Sequence, residues 1–564
     1  MRKNLIAEVL PARAALKRSI SRLMIAVLLI SHYSIASFAY ADLPDLGDAS
    51  DAIVTEPQER AIGKRIMLDI RGDNAFIEDP ELSEYITALG NRLVLASRGA
   101  TNDNRRDFEF FLLNDASVNA FALLGGFVGF HSGLVLLSRT ESELAGVMGH
   151  EISHVTQRHA ARGAMGQRAG GIYQLAALAA AILAARSGSA SAGQVTEAAI
   201  VGSQALAIQN QLDYTRDFER EADRMGIQLM MRAGFDPEGM VGFFERLLRA
   251  NRSNEGKAPG YLRTHPLTTE RIADMQSRID QLGNDGERKL RVYAENPDYK
   301  FATAKLRVMS LSSSEAINYF REAIGERTVM RNRADVYGLA MAQLRARNFA
   351  EAERELAKIR LSPSAHPWVE NLAAQIQMQQ GRFADAIDIY REGTKRFSDS
   401  RALALGLIDA HFQAGKIDDA LQLANLRLKT IQDDPMLYEL QAKCYERKGK
   451  KLAQHRAIGE AYYRRGNLVG AVEQLTLALS AKDGDFYEQS SVEARLAQFK
   501  LDYKNRPLMP GEKRKDTDRE IDRENERDRE RDRERERDRE RGKKGITKSA
   551  PLAQLQPLSL TSQR

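Results

Sequence analysis

Hydrophobic and polar positions follow different patterns in the two halves of the chain. Between residues 42 and 295, helical patterns are mixed with short runs of aromatic and branched residues, and the runs at 108–113 and 126–137 predict β-strands. Between residues 300 and 502, apolar residues recur at helical spacing alone. The pattern therefore predicts an α+β domain followed by an all-α solenoid, in a chain that is mostly helical overall.

The helical half has an internal period. Ala352, Ala386 and Ala420 follow one another at intervals of 34 residues, whereas Ala471 follows after 51. A period of 34 residues is typical of tetratricopeptide (TPR) repeats, which stack paired helices. The longer last interval predicts that the array becomes irregular near Cys444. The concave surfaces of such arrays bind other proteins, so we expect protein partners for this half.

The composition narrows the classes of function. The 564 residues contain 83 Lys and Arg against 77 Asp and Glu, which gives a net charge of +6. This balance is not that of a nucleic-acid enzyme, and no nucleic-acid partner is expected. The single cysteine, Cys444, excludes an internal disulfide and a cysteine-rich zinc site.

The two ends of the chain differ from the rest. Residues 1–41 combine a basic start, a short apolar run and the sequence Ala-Tyr-Ala, which predicts a secretory signal peptide cleaved after Ala41. An organelle-import leader and an uncleaved anchor are the alternatives. Residues 503–564 are rich in Asp-Arg and Glu-Arg dipeptides and have too few apolar residues to build a core. They predict a charged, low-complexity, disordered tail.

The strongest chemical signal is a His-Glu-x-x-His motif. His150, Glu151 and His154 lie in a segment of helical character that begins after Thr140. On a helix, residues four apart share one face, so both imidazoles can bind the same ion. Glu151 is rotated by about 100° from His150, which places its carboxylate beside the ion, where a general base is needed. The alternative is a pair of surface histidines that bind no metal.

The third metal ligand has to come from outside this motif, because a catalytic zinc site uses three protein ligands and keeps one position open. The best candidates are Glu219 and Asp223: at four residues apart, one can bind zinc while the other orients a ligand histidine. Glu221 is an alternative ligand, although it would point away from Asp223. His159, nine residues after His150, is interpreted as an ordinary polar residue beyond the zinc helix.

The segment 163–211 separates the two candidate metal-binding segments. Its part at 172–186 is an Ala-rich helical run that is too short to cross a bilayer, and the Ser- and Gly-rich part after it predicts flexibility. We interpret the segment as a helical lid with a mobile loop over the cleft. Peripheral contact with a membrane surface is the alternative.

Three motifs together resemble one known family. The sequences HEISH (150–154), EREAD (219–223) and THPL (264–267) are similar to those of the gluzincin metallopeptidases that include HtpX and the CAAX prenyl proteases. Within that family, the chain resembles the soluble periplasmic branch that is fused to TPR repeats. The resemblance implies a zincin-like metallopeptidase domain at 42–295 with one zinc ion per chain.

The same resemblance implies a role for each residue of the first two motifs. His150, His154 and Glu219 would bind the zinc ion. Glu151 would be the general base, and Asp223 would orient a ligand without binding the ion itself.

Two residues of the third segment receive roles from the resemblance alone. His265 would occupy the open position of the metal and keep the enzyme latent. Arg271 would lie at the active site, where a guanidinium suits stabilisation of an oxyanion. Without the resemblance, His265 is more readily a solvated turn residue, and Arg271 is as readily part of a surface salt bridge.

The resemblance also implies a biological role. It predicts a zinc-dependent endopeptidase of the bacterial periplasm that degrades misfolded or stalled outer-membrane β-barrel proteins and assists their assembly. The TPR half would dock to the β-barrel assembly machinery. The rival hypothesis is a non-proteolytic TPR chaperone or adaptor with a structural metal site, and the intact Glu151 argues against it. A membrane-associated protease is a third hypothesis, which the lack of paired apolar spans in the sequence disfavours.

Overall fold

The computed structural model describes residues 55–97, 107–165, 216–253, 259–283, 296–326, 333–360, 365–506 and Arg537. The predicted signal peptide at 1–41 lies outside these residues. So do the predicted lid at 163–211 beyond Met165 and the predicted tail beyond Arg506, apart from Arg537. No helix among the described residues is both long enough and apolar enough to span a membrane.

The described part of the first half begins with two helices and a small sheet. The elements are α1 (Glu56–Arg71), α2 (Pro80–Ser97), β1 (Glu109–Leu113), β2 (Ala120–Leu123) and β3 (Phe127–His131). β3 is the central strand and pairs in parallel with β1 and antiparallel with β2. Phe110 of β1 lies opposite Val128 of β3, and both belong to the same apolar core as Met148 and Ile152. The sheet thereby supports the segment that carries the His-Glu-x-x-His motif.

The chain leaves the sheet earlier than the sequence pattern predicts. Helix α3 (Ser132–Leu137) follows β3 directly, so the strand predicted over 126–137 ends at His131, and β2 is an unpredicted strand. The hydroxyl of Ser132 donates to the carbonyl of Asp115 at 2.9 Å and accepts from its N–H at 3.1 Å, which anchors the chain at this turn. Periodicity alone cannot distinguish helix from strand in so short an apolar run.

Helix α4 (Glu141–Thr156) carries the motif through the interior of the first half. Two hydrogen bonds hold its start: the hydroxyl of Thr140 accepts the N–H of Glu143 at 3.2 Å, and the carboxylate of Glu143 accepts the N–H of Arg139 at 2.7 Å. Residues 141–154 are all buried, so every face of this helix is covered by protein. His150 and His154 are therefore buried residues and not a pair of surface histidines.

Among the described residues of the first half, four further helices and a short turn follow α4. They are α5 (His159–Met165), α6 (Arg216–Arg232), α7 (Glu238–Ser253), α8 (Gly260–Thr264) and α9 (Thr269–Gly283). Helices α4 and α6 cross closely where Gly149 faces Gly226. A β-carbon on Gly226 would lie 3.1 Å from the backbone nitrogen of His150. The absence of side chains at this crossing brings the histidine-bearing helix next to the carboxylate-bearing helix.

The second half is a row of paired helices. They are α10 (Pro297–Ser310), α11 (Ser313–Glu326), α12 (Arg333–Arg345), α13 (Phe349–Arg360), α14 (Pro367–Gln379), α15 (Phe383–Arg396), α16 (Arg401–Gln413), α17 (Ile417–Leu428), α18 (Pro435–Arg447), α19 (Lys451–Arg464), α20 (Leu468–Ser480) and α21 (Phe486–Asn505). This confirms the predicted all-α solenoid.

The turns inside the helix pairs keep the 34-residue period. Arg347, Gly381, Gly415 and Gly449 recur at this interval and have positive φ angles of 60°, 74°, 75° and 68°. Each residue ends the first helix of a pair in the left-handed conformation, which glycine adopts most readily. The turn at Gly449 continues this period, but a further turn with a positive φ of 85° follows at Gly466, only 17 residues later, between α19 and α20. The array therefore becomes irregular after Cys444, as the alanine pattern predicts.

Buried and half-buried polar contacts join the two halves. Lys305 on α10 lies 2.5 Å from the carboxylate of Glu81 and 2.6 Å from that of Asp79, and Lys305 and Glu81 are only 4% and 3% exposed. Near the other end of the array, Arg71 on α1 donates to the carbonyl of Arg465 at 2.9 Å. The repeats therefore contact the first half both near their start and near their end.

Candidate metal centre

Four side chains from three elements converge in the interior of the first half. His150 and His154 project from α4, Glu219 projects from α6, and His265 directly follows α8. One ligand atom from each of the four residues lies within 4.8 Å of the other three, and all four residues are buried. The structure thus brings the three predicted ligands and the predicted latch residue to one point.

The donor atoms have the spacing expected for the ligands of one metal ion. Two ligands bound to zinc at about 2.05 Å in a tetrahedron lie about 3.3 Å apart. The Nε2 atoms of His150 and His154 are 3.0 Å apart, and carboxylate oxygens of Glu219 lie 3.5 and 3.4 Å from them. Nδ1 of His265 lies 3.4 Å from Nε2 of His150 and 3.0 Å from Glu219. These residues therefore fit a tetrahedral ion such as zinc.

The carboxylate of Asp223 and the guanidinium of Arg271 contact the ligand residues His150 and Glu219. Oδ1 of Asp223 lies 3.0 Å from Nδ1 of His150, the nitrogen that faces away from the other ligands. Arg271 donates to both oxygens of Asp223 at 2.8 Å, and its Nη1 lies 2.8 Å from Glu219. Arg271 also donates to the carbonyl of Pro266 at 2.6 Å. The guanidinium is 5% exposed, so it is not part of a surface salt bridge, and in this conformation its donors hold the two carboxylates.

His265 is a buried residue of the centre rather than a solvated turn residue. Its ring stacks on that of Tyr261, with centroids 4.6 Å apart and planes inclined by 26°. Its Nε2 lies 3.4 Å from a carboxylate oxygen of Glu151, while its Nδ1 is turned toward the metal ligands. The imidazole therefore occupies the fourth corner of the donor set, next to the expected general base.

Glu151 lies beside the donors without being one of them. It is completely buried, yet neither of its carboxylate oxygens accepts a hydrogen bond from the described residues. Burial raises the pKa of this carboxyl above its ordinary value, and the nearby charges of His265 and His150 offset only part of that rise. A buried carboxylate costs free energy when it lacks a donor, so its presence here indicates a role in chemistry rather than in folding.

Burial and the facing charges act in opposite directions on the pKa values of the ligands. Burial lowers the pKa of His154 well below its usual value. Burial also lowers the pKa of His150, but hydrogen bonds to Asp223 and Glu219 outweigh this effect and raise it to about 9. Burial raises the pKa of Glu219, but the facing histidines hold it well below its ordinary value. The carboxylates therefore attract a positive charge, whether proton or metal ion, to the point where the imidazoles meet.

His159 is the residue of this centre that the sequence analysis missed. It is fully buried, its Nδ1 lies 2.9 Å from Nδ1 of His154, and its Nε2 lies 3.2 Å from the carboxylate of Glu221. The interpretation of His159 as an ordinary polar residue is therefore wrong, and Glu221 contacts His159 rather than joining the donors. On a continuous helix His159 would point about 140° away from His154. Instead α4 ends at Thr156, and Arg158, with φ of 51°, turns the chain back.

The fold and the centre define a class of protein. A buried His-His-Glu donor set beside a carboxylate that is not itself a donor is the arrangement of a metal-dependent peptidase. The profile described as Peptidase family M48 matches residues 80–279, and one described as Tetratricopeptide repeat matches residues 377–444. The chain belongs to peptidase family M48, and it is a metalloendopeptidase followed by TPR-like helical repeats.

Two of the relatives match most of the chain, and a third matches part of it. The chain is 32% identical over 490 residues to Beta-barrel assembly-enhancing protease from Escherichia coli (strain K12), in a match that covers 86% of this chain and 97% of that protein. It is 32% identical to the protein of the same name from Yersinia pestis, with 81% and 91% covered. It is 28% identical to Metalloprotease YcaL from Escherichia coli (strain K12), with 35% and 68% covered. The predicted family and enzyme class are confirmed.

Proposed function

We propose that this chain is a zinc-dependent endopeptidase of the periplasm that degrades misfolded or stalled outer-membrane β-barrel proteins and assists their assembly. The observation that carries the proposal is the zinc-sized spacing of the donors of His150, His154 and Glu219 beside Glu151. The name of the relatives that match most of the chain supports the substrate class. The adaptor hypothesis loses support, because a structural metal site has no use for a buried carboxylate next to it.

The proposed organisation of the chain has four parts. A signal peptide at 1–41, cleaved after Ala41, would export the protein to the periplasm. The peptidase domain would occupy 42–295, the TPR array 300–502 and the charged tail 503–564. The array would dock the peptidase to the β-barrel assembly machinery, and peripheral contact with the membrane would bring it near its substrates.

The chemistry follows from the position of Glu151. A bound zinc ion, one per chain, would polarise the scissile carbonyl and lower the pKa of the attacking water. Glu151 accepts a proton from this water as its oxygen bonds to the carbonyl carbon, and then donates a proton to the amine nitrogen as the C–N bond breaks. Oδ1 of Asp223 lies 3.0 Å from Nδ1 of His150 and would keep Nε2 of this ring directed at a bound ion.

Strand β2 is the proposed binding edge for substrate. Among the described residues it pairs only with β3, and a small cleft beside it is lined by Leu123, Leu124 and His154. An extended peptide can pair with such an edge through its main chain, which requires little side-chain specificity. This mode of binding suits an enzyme that acts on unfolded segments of many sequences.

Replacing Glu219 with alanine tests the metal centre. The variant is expected to lose most of its zinc and all measurable cleavage, because it removes the one anionic donor and leaves only imidazoles to hold the ion. Metal content and cleavage should be measured on the same preparations of the wild type, Glu219→Ala and Glu322→Ala, which removes an exposed carboxylate of the repeats. Wild-type zinc content in Glu219→Ala would remove Glu219 from the ligand set.

Replacing His265 with alanine tests the proposed latch. His265 fills the fourth corner of the donor set and lies against Glu151, so water and substrate cannot enter while it is there. If the latched state is about 90% populated, its loss should raise basal cleavage about tenfold. The same assay on His411→Ala, in the repeats, provides the control. Unchanged or lower cleavage by a His265→Ala protein that retains its zinc would contradict the latch.

A further inference from the structure

The two ligand histidines of α4 have different partners on their second nitrogens. Nδ1 of His150 faces the carboxylate of Asp223 directly, at 3.0 Å. Nδ1 of His154 faces another imidazole, that of His159, at 2.9 Å. We infer that His159 is a positioning residue that fixes His154 on the metal through a hydrogen-bonded chain ending at Glu221. This inference rests on the metal centre of the proposed function.

Once His154 binds an ion, the donor and the acceptor of each hydrogen bond in this chain are fixed. Nε2 of His154 faces the ion, so the ring must carry its proton on Nδ1 and donate it to Nδ1 of His159. His159 then carries its own proton on Nε2, which lies 3.2 Å from the carboxylate of Glu221. Each ring nitrogen of His154 and His159 is therefore either a donor or an acceptor, and only one tautomer of each ring fits this assignment. The carboxylate of Glu221 sets the tautomer of His159, and His159 sets that of His154.

The surroundings hold His159 in this orientation. Its ring stacks on that of Phe218, with centroids 4.6 Å apart and planes inclined by only 11°. Arg162 donates to the carboxylate of Glu221 at 3.1 Å. These contacts come from both α5 and α6, so rotation of the His159 ring would break interactions on two helices.

The residue before His159 has an unusual backbone conformation, which determines where the His159 ring lies. Arg158 has φ of 51°, in a region that a residue with a long side chain seldom adopts. Its guanidinium is buried and donates twice to the same carboxylate oxygen of Glu59 on α1, at 3.0 and 2.8 Å. This pair holds the strained turn in place, and the turn directs His159 back toward His154.

Graded substitutions of His159 test the inference by zinc affinity. His159→Phe keeps a ring that can stack on Phe218 but removes the acceptor for His154, and we expect its zinc affinity to fall about 10–100-fold. His159→Asn places an amide oxygen near the position of Nδ1, so it should recover part of the affinity without reaching Glu221. Affinity would be measured on the full chain by competition with a chromophoric chelator, with His455→Phe in the repeats as the matched control.

A second pair of variants keeps the test decisive if His159→Phe does not fold. His159→Asn and Glu221→Leu break the same link, so each should weaken zinc binding by the same factor, and the double variant should show no further loss. The unfolding temperatures of the EDTA-treated variants should equal that of the EDTA-treated wild type. Wild-type affinity in His159→Phe, or additive losses in the double variant, would overturn the inference.

The parallel titration of Glu219→Ala separates the two claims. If Glu219→Ala binds zinc as the wild type does, the metal centre itself is wrong. If Glu219→Ala loses zinc while the His159 series retains it, only the positioning role of His159 fails.

Discussion

Replacing Glu151 with glutamine is expected to abolish cleavage of a casein-type substrate while leaving the metal bound. Glutamine has nearly the same size but cannot accept a proton from the attacking water. General acid–base catalysis contributes about 10²–10⁴-fold to a rate, so kcat/KM should fall by at least about a hundredfold. The metal should stay, because the carboxylate of Glu151 is not one of the clustered donor atoms.

Zinc content and cleavage measured on one sample distinguish loss of the base from loss of the ion. Glu245→Gln is the matched control, because the carboxylate of Glu245 is on an exposed face of α7, paired with Arg249. It should match the wild type in both measurements. A Glu151→Gln protein that cleaves as fast as the wild type would show that another group takes the proton.

Replacing Lys305 with methionine is expected to destabilise the protein by about 3–5 kcal/mol. The ammonium group lies between the carboxylates of Glu81 and Asp79, and Asn371 donates to the second oxygen of Glu81 at 2.8 Å. Methionine fills most of the volume but leaves a buried negative charge without its cation. Because the network joins α2 to α10 and α14, the two halves should also become easier to separate.

Urea unfolding followed by circular dichroism measures this effect. Lys395→Met is the control: Lys395 pairs with Glu392 on an exposed helix surface, so its loss should change the free energy of unfolding by less than about 1 kcal/mol. Combining Lys305→Met with Glu81→Leu should recover part of the loss, since the unpaired carboxylate is its main cause. Equal midpoints for Lys305→Met and the wild type would contradict a stabilising role for this network.

Local spacing predicted the parts of the centre that lie on single helices. His150, Glu151 and His154 follow from the geometry of one helix, and Glu219 and Asp223 follow from the same rule on another. What spacing could not predict is any residue whose position depends on a turn. His159 is the clearest example, because its approach to His154 requires the left-handed backbone of Arg158.

The fold, too, could be predicted only where it depends on local spacing in the sequence. A 34-residue period is a local property, so the repeats and the break in their pattern after Cys444 could be predicted from the sequence. The end of the strand at His131 could not be predicted, since it depends on the contacts of Ser132 with Asp115. The contact between Arg71 and Arg465 joins residues that are distant in the chain, and no pattern in either segment signals it.

The close crossing of α4 and α6 has a consequence for the spacing of the donor atoms. A methyl group on Gly226 would meet the backbone of Gly149 and His150 at 3.1–3.2 Å, closer than such atoms normally approach. The helices would have to separate by a few tenths of an ångström, and the imidazoles would move away from Glu219 with them. Two residues without side chains, neither of which is among the clustered donors, thus help to set the spacing of the donor atoms.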